Sequence, residues 1–273
     1  MDVETTPYYL FLLVLVLAPP VLILIERLRP SIKAQPVFRR EFSTDVGWYL
    51  IAPLLQRIVA PLFVVFLVVL PVYMIADLPL SQYRYGFGPV AALPPVVQTL
   101  LALVLFDFCF YWHHRLFHRP AFWNLHSIHH SSETLDWLSA TRVHPVNEIG
   151  GQLLTVTPMI LLGFTPAALL VLLPVLAATN LLLHANVDWD FGPFRRVIIS
   201  PRFHRWHHSK EAAAKDKNFA AVFPVWDILF GTYYLPPEKP ERFGVPEEIP
   251  SGFWAQMRYP FRVGKIASKN DRQ

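Results

Sequence analysis

The chain has 273 residues, 53% of them hydrophobic and only 16% charged, with a mean hydropathy of +0.35. Soluble domains carry about a quarter charged residues, so this composition excludes an ordinary soluble globule and points to a membrane bundle with a polar cap. The net charge of +4 requires no nucleic-acid partner, and a lone cysteine, Cys109, excludes an intrachain disulfide, a thiolate-held iron–sulfur cluster and a Cys-rich zinc site.

The first apolar run, 8–25, follows an acidic start (MDVETT) and has no small-residue cleavage site, which predicts a retained span rather than a cleaved leader. Pro19 and Pro20 predict a kink in it, which membranes tolerate. The basic stretch ERLRPSIKAQPVFRR after it predicts a cytoplasmic position and an N-terminus on the far side. Residues 46–76 are apolar but carry Arg57 and several prolines, and their length suits one long tilted span. The polar loop DLPLSQYRYG then falls on the far side, and 97–112 returns to the cytoplasm at Tyr111-Trp112, an interfacial anchor.

A polar, His-rich stretch at 113–148 comes next. Residues 149–183 are apolar but interrupted by GFTP at 163–166, so each half is marginal as a full crossing and a hairpin is expected. The remainder, 185–273, reads as a cytoplasmic cap with a disordered end, GKIASKNDRQ. The predicted fold class is all-α, a multi-pass integral membrane helical bundle with a cytoplasmic histidine-rich cap holding a dimetal centre. Its expected segments are 1–95 (N-terminal spans), 96–240 (catalytic spans and cap) and 241–273 (cytoplasmic tail).

All eleven histidines fall between 113 and 208. His114 and His118 (HRLFH) are i, i+4. HSIHH (His126, His129, His130) and HRWHH (His204, His207, His208) are i, i+3, i+4, which gathers three imidazoles on one helical face. With His184 these make nine candidate ligands, more than one ion takes, so two metals are expected. Imidazole suits iron, zinc, copper or nickel; magnesium and calcium prefer oxygen. Three adjacent imidazoles repel when charged and gain little when neutral unless a cation sits among them. His113 and His144 remain open between a site role and that of a core histidine.

Asp107 lies seven residues, two helical turns, before His114, and is a candidate partner for the outer ring nitrogen of a ligand; a salt bridge to Arg115 is the alternative. Glu133, Glu148 and Asp227 are weaker candidates, Glu133 being the most surface-like. Asn218 could hold a water near a metal or simply form a turn. Arg142 and His144 could line the mouth of the site. Trp123, Trp137, Trp206 and Trp226 read as an interfacial belt.

The runs DFCFYWHHRLFH, FWNLHSIHHSS, TRVHPVNE, LLHANVDW, SPRFHRWHHSK and DKNFAAVFPVWDILFGTYY together closely resemble the sterol desaturase and fatty acid hydroxylase superfamily of membrane oxygenases. The likeness covers about 100–235; Ala220 departs from a glycine common at its position. The resemblance implies a two-iron centre (Fe2+/Fe3+) held by the three histidine boxes, with His184 as an additional ligand. It also implies O2 as co-substrate and oxidation of a lipid C–H bond by the dimetal centre itself, with no separate protein acid or base. Hydroxylation is favoured over desaturation. Zinc is expected only as a misloaded metal. No haem, Rossmann or ferredoxin motif is evident, so an external donor, a ferredoxin or a cytochrome b5-type protein with its reductase, is expected. A basic cap surface (Arg195, Arg196, Arg202, Arg205, Lys210) could dock it or meet anionic headgroups. A bacterial inner membrane is favoured over the endoplasmic reticulum. The rival readings are a zinc-dependent lipid hydrolase and a non-catalytic metal-binding or transporting membrane protein.

Overall fold

The computed structural model describes residues 6–76 and 85–262. The expectations placed on residues 1–5, on the loop at 77–84 and on the disordered end at 264–273 fall outside the described residues. Among the described residues there are helices and turns but no strands, only two isolated bridges, Pro30 with Val187 and Ser209 with Phe243.

Helix α1 (Thr6–Leu28) runs through Pro19 and Pro20. Its apolar side chains point outward at Leu13, Val16, Val21 and Leu24, while Leu22 is buried. A helix that meets its backbone hydrogen bonds internally and exposes apolar side chains is what hydrocarbon accepts. α2 (Phe42–Val64) continues through a π turn (Val65–Val69) into α3 (Leu70–Ala76), so the expected single long span is one helical run. Pro71 has no N–H to donate to the carbonyl four residues earlier, and the π turn covers that stretch. The short α4 (Gly88–Ala91) leads into α5 (Pro95–Phe117).

α6 (Pro120–His130) follows after a tight turn, and a 3-10 turn spans Trp137–Thr141. The expected hairpin is present: α7 (Pro145–Leu161) descends, and α8 (Pro166–Leu170) with α9 (Leu172–His184) returns. The bend needs Gly163. Its φ is +81°, and a Cβ there would lie 2.1 Å from the Phe87 carbonyl oxygen. The returning limb is not marginal as a crossing, contrary to the expectation for each half. Thr165 caps the returning limb through the Ala168 N–H, and Pro166 opens it, so Pro166–His184 is itself long and apolar enough to cross. Tyr9–Leu28 and Pro95–Phe117 also qualify. This is a multi-pass membrane protein.

The cap contains α10 (Pro201–His207), α11 (Val225–Leu229) and α12 (Phe253–Arg258). α1 packs on α9, and α2 and α5 both pack on α7. A buried ionic cluster joins the membrane helices to the cap. Arg39 bonds both Asp45 and Asp136 at 2.6 Å, and Arg142 bonds Asp45 at 2.5 Å and Ser131 Oγ at 2.9 Å. Asp136 also caps the 3-10 turn with Ser139. These contacts hold the end of α6, and with it His129 and His130, against α2.

Candidate metal centre

Four helices end on one spot. His114 and His118 close α5, His126 to His130 close α6, His184 closes α9, and His204 to His208 close α10. A helix C-terminus carries roughly half a negative charge, so four of them converging favour a cation.

The nine histidines separate into two sets. His114, His118, His126, His130 and His207 form one; His129, His184, His204 and His208 form the other. Within each set, the nitrogens available to a metal lie within 4.8 Å of one another. The boxes are therefore split between sites: each His-x-x-His-His triplet gives its i, i+4 pair to one set and its middle imidazole to the other.

The hydrogen bonds show which ring nitrogen faces inward. The Nδ1 atoms of His114, His184 and His207 donate to the carbonyls of Phe219 (2.8 Å), Asn180 (2.8 Å) and Lys217 (2.7 Å). His126 Nδ1 bonds Asn147 Oδ1 at 3.0 Å, and His118 Nδ1 bonds Asp216 Oδ1 at 3.2 Å. A proton on Nδ1 leaves Nε2 with a lone pair. The Nε2 atoms of His114 and His126, both with Nδ1 already bonded, face each other at 3.0 Å, and the Nε2 atoms of His130 and His204 approach those of His126 and His184 at 3.1 Å. The Nε2 atoms of His118 and His207 are buried with no partner. Lone pairs this close repel unless a cation lies between them, so the residues fit two metal ions.

Protonation offers no escape from that repulsion. Burial, reinforced by the neighbouring imidazoles, pushes His126, His129, His130, His204, His207 and His208 well below the ordinary histidine range, so they are neutral and able to ligate at pH 7. The donor set is all nitrogen, which suits iron or zinc and not magnesium or calcium.

The other sequence candidates lie elsewhere. Asp107 touches no imidazole. Its carboxylate accepts the N–H groups of Ala221, Val222 and Phe223 (2.7–2.8 Å) and the Trp226 indole (3.0 Å). The shared helix face predicted from its spacing is real, but a loop from far along the chain claims the carboxylate first. Asp107 thus positions the loop whose Phe219 carbonyl holds His114. Asp227 helps by accepting the N–H groups of Phe219 and Ala220.

His144 lies outside both sets; its Nδ1 caps α7 at Val146 and its Nε2 meets the Met257 carbonyl. Asn218 forms a loop clamp, in line with the turn alternative. At φ 61° its side chain clamps the Phe203 and Tyr234 carbonyls and accepts the Tyr234 N–H. His113 is buried against Phe117 and Gly151, with neither ring nitrogen bonded. Glu133 is exposed beside Arg40, and Glu148 bonds Gln152. Arg205, expected on the docking surface, is buried and donates to the carbonyls of Leu135 and Ala185 behind His184.

Asn147, Asp216 and the three carbonyls were missed. Asn147 sits beside Glu148 in the conspicuous RVHPVNE run, and Asp216 opens the DKN run. Backbone carbonyls carry no residue-type signal at all.

Fold and site together define a multi-pass membrane protein with a buried, all-nitrogen centre able to hold two metals. The fatty acid hydroxylase family matches residues 99–232, a segment that contains all nine histidines. Ornithine lipid hydroxylase OlsE of Rhizobium tropici is 35% identical over 67% of this chain and 56% of its own length. Human alkylglycerol monooxygenase is 33% identical over 49% of this chain and 30% of its own. Methylsterol monooxygenase 2-2 of Arabidopsis thaliana is 28% identical over 50% and 52%. The chain thus spans between about a third and just over half of these relatives. No solved structure matches. The chain belongs to the sterol desaturase and fatty acid hydroxylase superfamily.

Proposed function

We propose that the protein is a membrane-bound di-iron oxygenase that hydroxylates a C–H bond of a membrane lipid. The observation that carries this reading is the division of nine imidazoles, all but His118 in buried residues, into two adjoining sets inside the family's matched segment. His114, His118, His126, His130 and His207 would hold one iron, and His129, His184, His204 and His208 the other. When bound, the irons supply the capacity to activate dioxygen and break an unactivated C–H bond.

The overall reaction consumes the lipid, O2, two electrons and two protons, and yields the alcohol and water. The chain's own groups do the rest. Phe219, Asn180 and Lys217 carbonyls, Asn147 and Asp216 fix the ring orientations and keep the protons on Nδ1. Burial of the centre excludes bulk water from a strong oxidant. The relatives named above are a hydroxylase and two monooxygenases, which favours hydroxylation over desaturation.

The electrons come from a separate ferredoxin or cytochrome b5-type donor. The cap faces the cytoplasm, because it packs against the basic 29–40 stretch: Lys239 Nζ donates to the Ser31 carbonyl at 2.7 Å, and Pro30 bridges Val187. In a bacterium that membrane is the inner membrane. The test is lipid analysis of cells with and without the gene under 18O2. A lipid gaining one labelled oxygen supports the proposal; identical lipidomes with iron-loaded protein present overturn it.

A further inference from the structure

On the cap, away from the histidines, a cavity of about 310 Å3 is lined by Arg195, Arg196, Arg202, Tyr233, Asp190 and Leu235, among others. Three guanidiniums meet two carboxylates, which leaves one positive charge in excess. Arg202 is held by Asp188 at 2.7 Å and reaches Asp190 at 3.5 Å, while Arg195 approaches Asp190 only at 3.9 Å. Arg196 pairs with no carboxylate among the described residues and is exposed. Tyr233 Oη donates to the Arg195 carbonyl, which ties the segment before α10 to the segment after α11.

The surroundings are apolar in a way a cytosol-facing surface is not. Phe194 (64% exposed), Val197 and Ile198 flank the arginines on one side. Ile228, Leu229 and Phe230 lie exposed shortly before Tyr233 on the other. Phe230 packs at a tilt against Trp112 near the end of the α5 span, with ring centroids 4.9 Å apart, so this collar continues the lipid-facing surface of the bundle. Cations inside an apolar rim at the end of a membrane span meet a lipid phosphate, where the guanidinium fork matches paired oxygens.

We infer that the Arg195–Arg196–Arg202 cavity is a binding site for the phosphate of an anionic membrane lipid, seated by the apolar collar around it. The inference does not depend on the oxygenase reading. The site is built from the linker between α9 and α10, which connects His184 to His204.

The test uses the full chain in detergent, titrated with dioleoyl phosphatidylglycerol or dioleoyl phosphatidylcholine and read by native mass spectrometry. Wild type is expected to prefer the anionic lipid. The Arg195→Gln/Arg196→Gln variant is expected to lose about fivefold of that preference per guanidinium, with unchanged metal content and melting temperature. Arg196→Gln alone, at an exposed position, serves if the double variant folds poorly. Equal preference in wild type and variant overturns the inference. Displacement of the lipid by millimolar inorganic phosphate would assign the pocket to a soluble phosphate instead. Unchanged lipid binding with slowed reduction by an acidic electron donor would assign it to a protein partner, and also overturns it.

Discussion

His129 and His207 hold the same place in their two triplets, and each lies among the ligands of the opposite triplet. His129 joins His204 and His208, and His207 joins His126 and His130. The rings show the exchange: His129 lies 4.7 Å from His208 and His207 lies 4.6 Å from His130, centroid to centroid. An i+3 residue on a helix is turned about 80° away from the mid-direction of the i, i+4 pair. Two facing triplets therefore interlock, and each metal would be held by more than one helix.

Interlocking predicts a particular pattern of metal loss. The triple variant His126→Ala/His129→Ala/His130→Ala strips three ligands from α6 and should lose both metals, because His129 belongs to the other set. If each triplet held its own metal, that variant would keep one. Metal per chain by mass spectrometry separates the two. His113→Ala, outside both sets, should keep both metals and most of the activity.

The depressed histidines predict acid sensitivity of the metal-free protein. In the fold these imidazoles resist protonation, whereas in the unfolded chain they protonate near 6.5. The unfolded state thus binds more protons as pH falls, and stability must fall with it. The stabilising contribution is complete above about pH 6.5 and declines below it. Melting temperatures of the apo-protein at pH 7.5 and 5.5 check this; a higher value at pH 5.5 contradicts it. Metal loading should shift the whole curve upward, since protons and metal compete for Nε2.

Asp107 is expected to act through the loop at 219–223. Asp107→Ala would leave three backbone N–H groups and the Trp226 indole without an acceptor, at about 1–3 kcal/mol each. Loss of folded protein is the expected outcome. Asp107→Asn keeps one acceptor oxygen and should fold with a lowered melting temperature and weakened retention of the metal at His114. An unchanged melting temperature would remove Asp107 from this role.

Among the described residues, Asp216 is the one carboxylate bonded to a candidate ligand, His118. Asp216→Asn should weaken metal binding at the five-histidine set by about 10–100-fold, the usual cost of losing an outer partner. Its side chain is about half exposed, so folding should be intact. A chelator competition assay reads the effect.

The sequence pointed to the candidate ligands and hid most of what holds them. The histidine boxes were visible because spacing on a helix determines which imidazoles share a face. The division into sets was not, because it depends on how α6 and α10 oppose each other. Asp107 illustrates the limit well. Its face was predicted correctly, yet its partners come from a loop more than a hundred residues away. His144 and Asn218 look functional by type but serve as a helix cap and a loop clamp. The long run at 46–76 and the hairpin at 149–183 were legible from hydropathy. The extra length of the returning limb came from the Thr165 cap and Pro166, a local detail that mean hydropathy averages away.

The central claim is that this centre holds two irons. Metal analysis with Mössbauer spectroscopy, on protein purified from iron-supplemented cells, tests it most directly. The account predicts two irons per chain, magnetically coupled to each other. A single metal per chain, or two irons with no coupling, would contradict it.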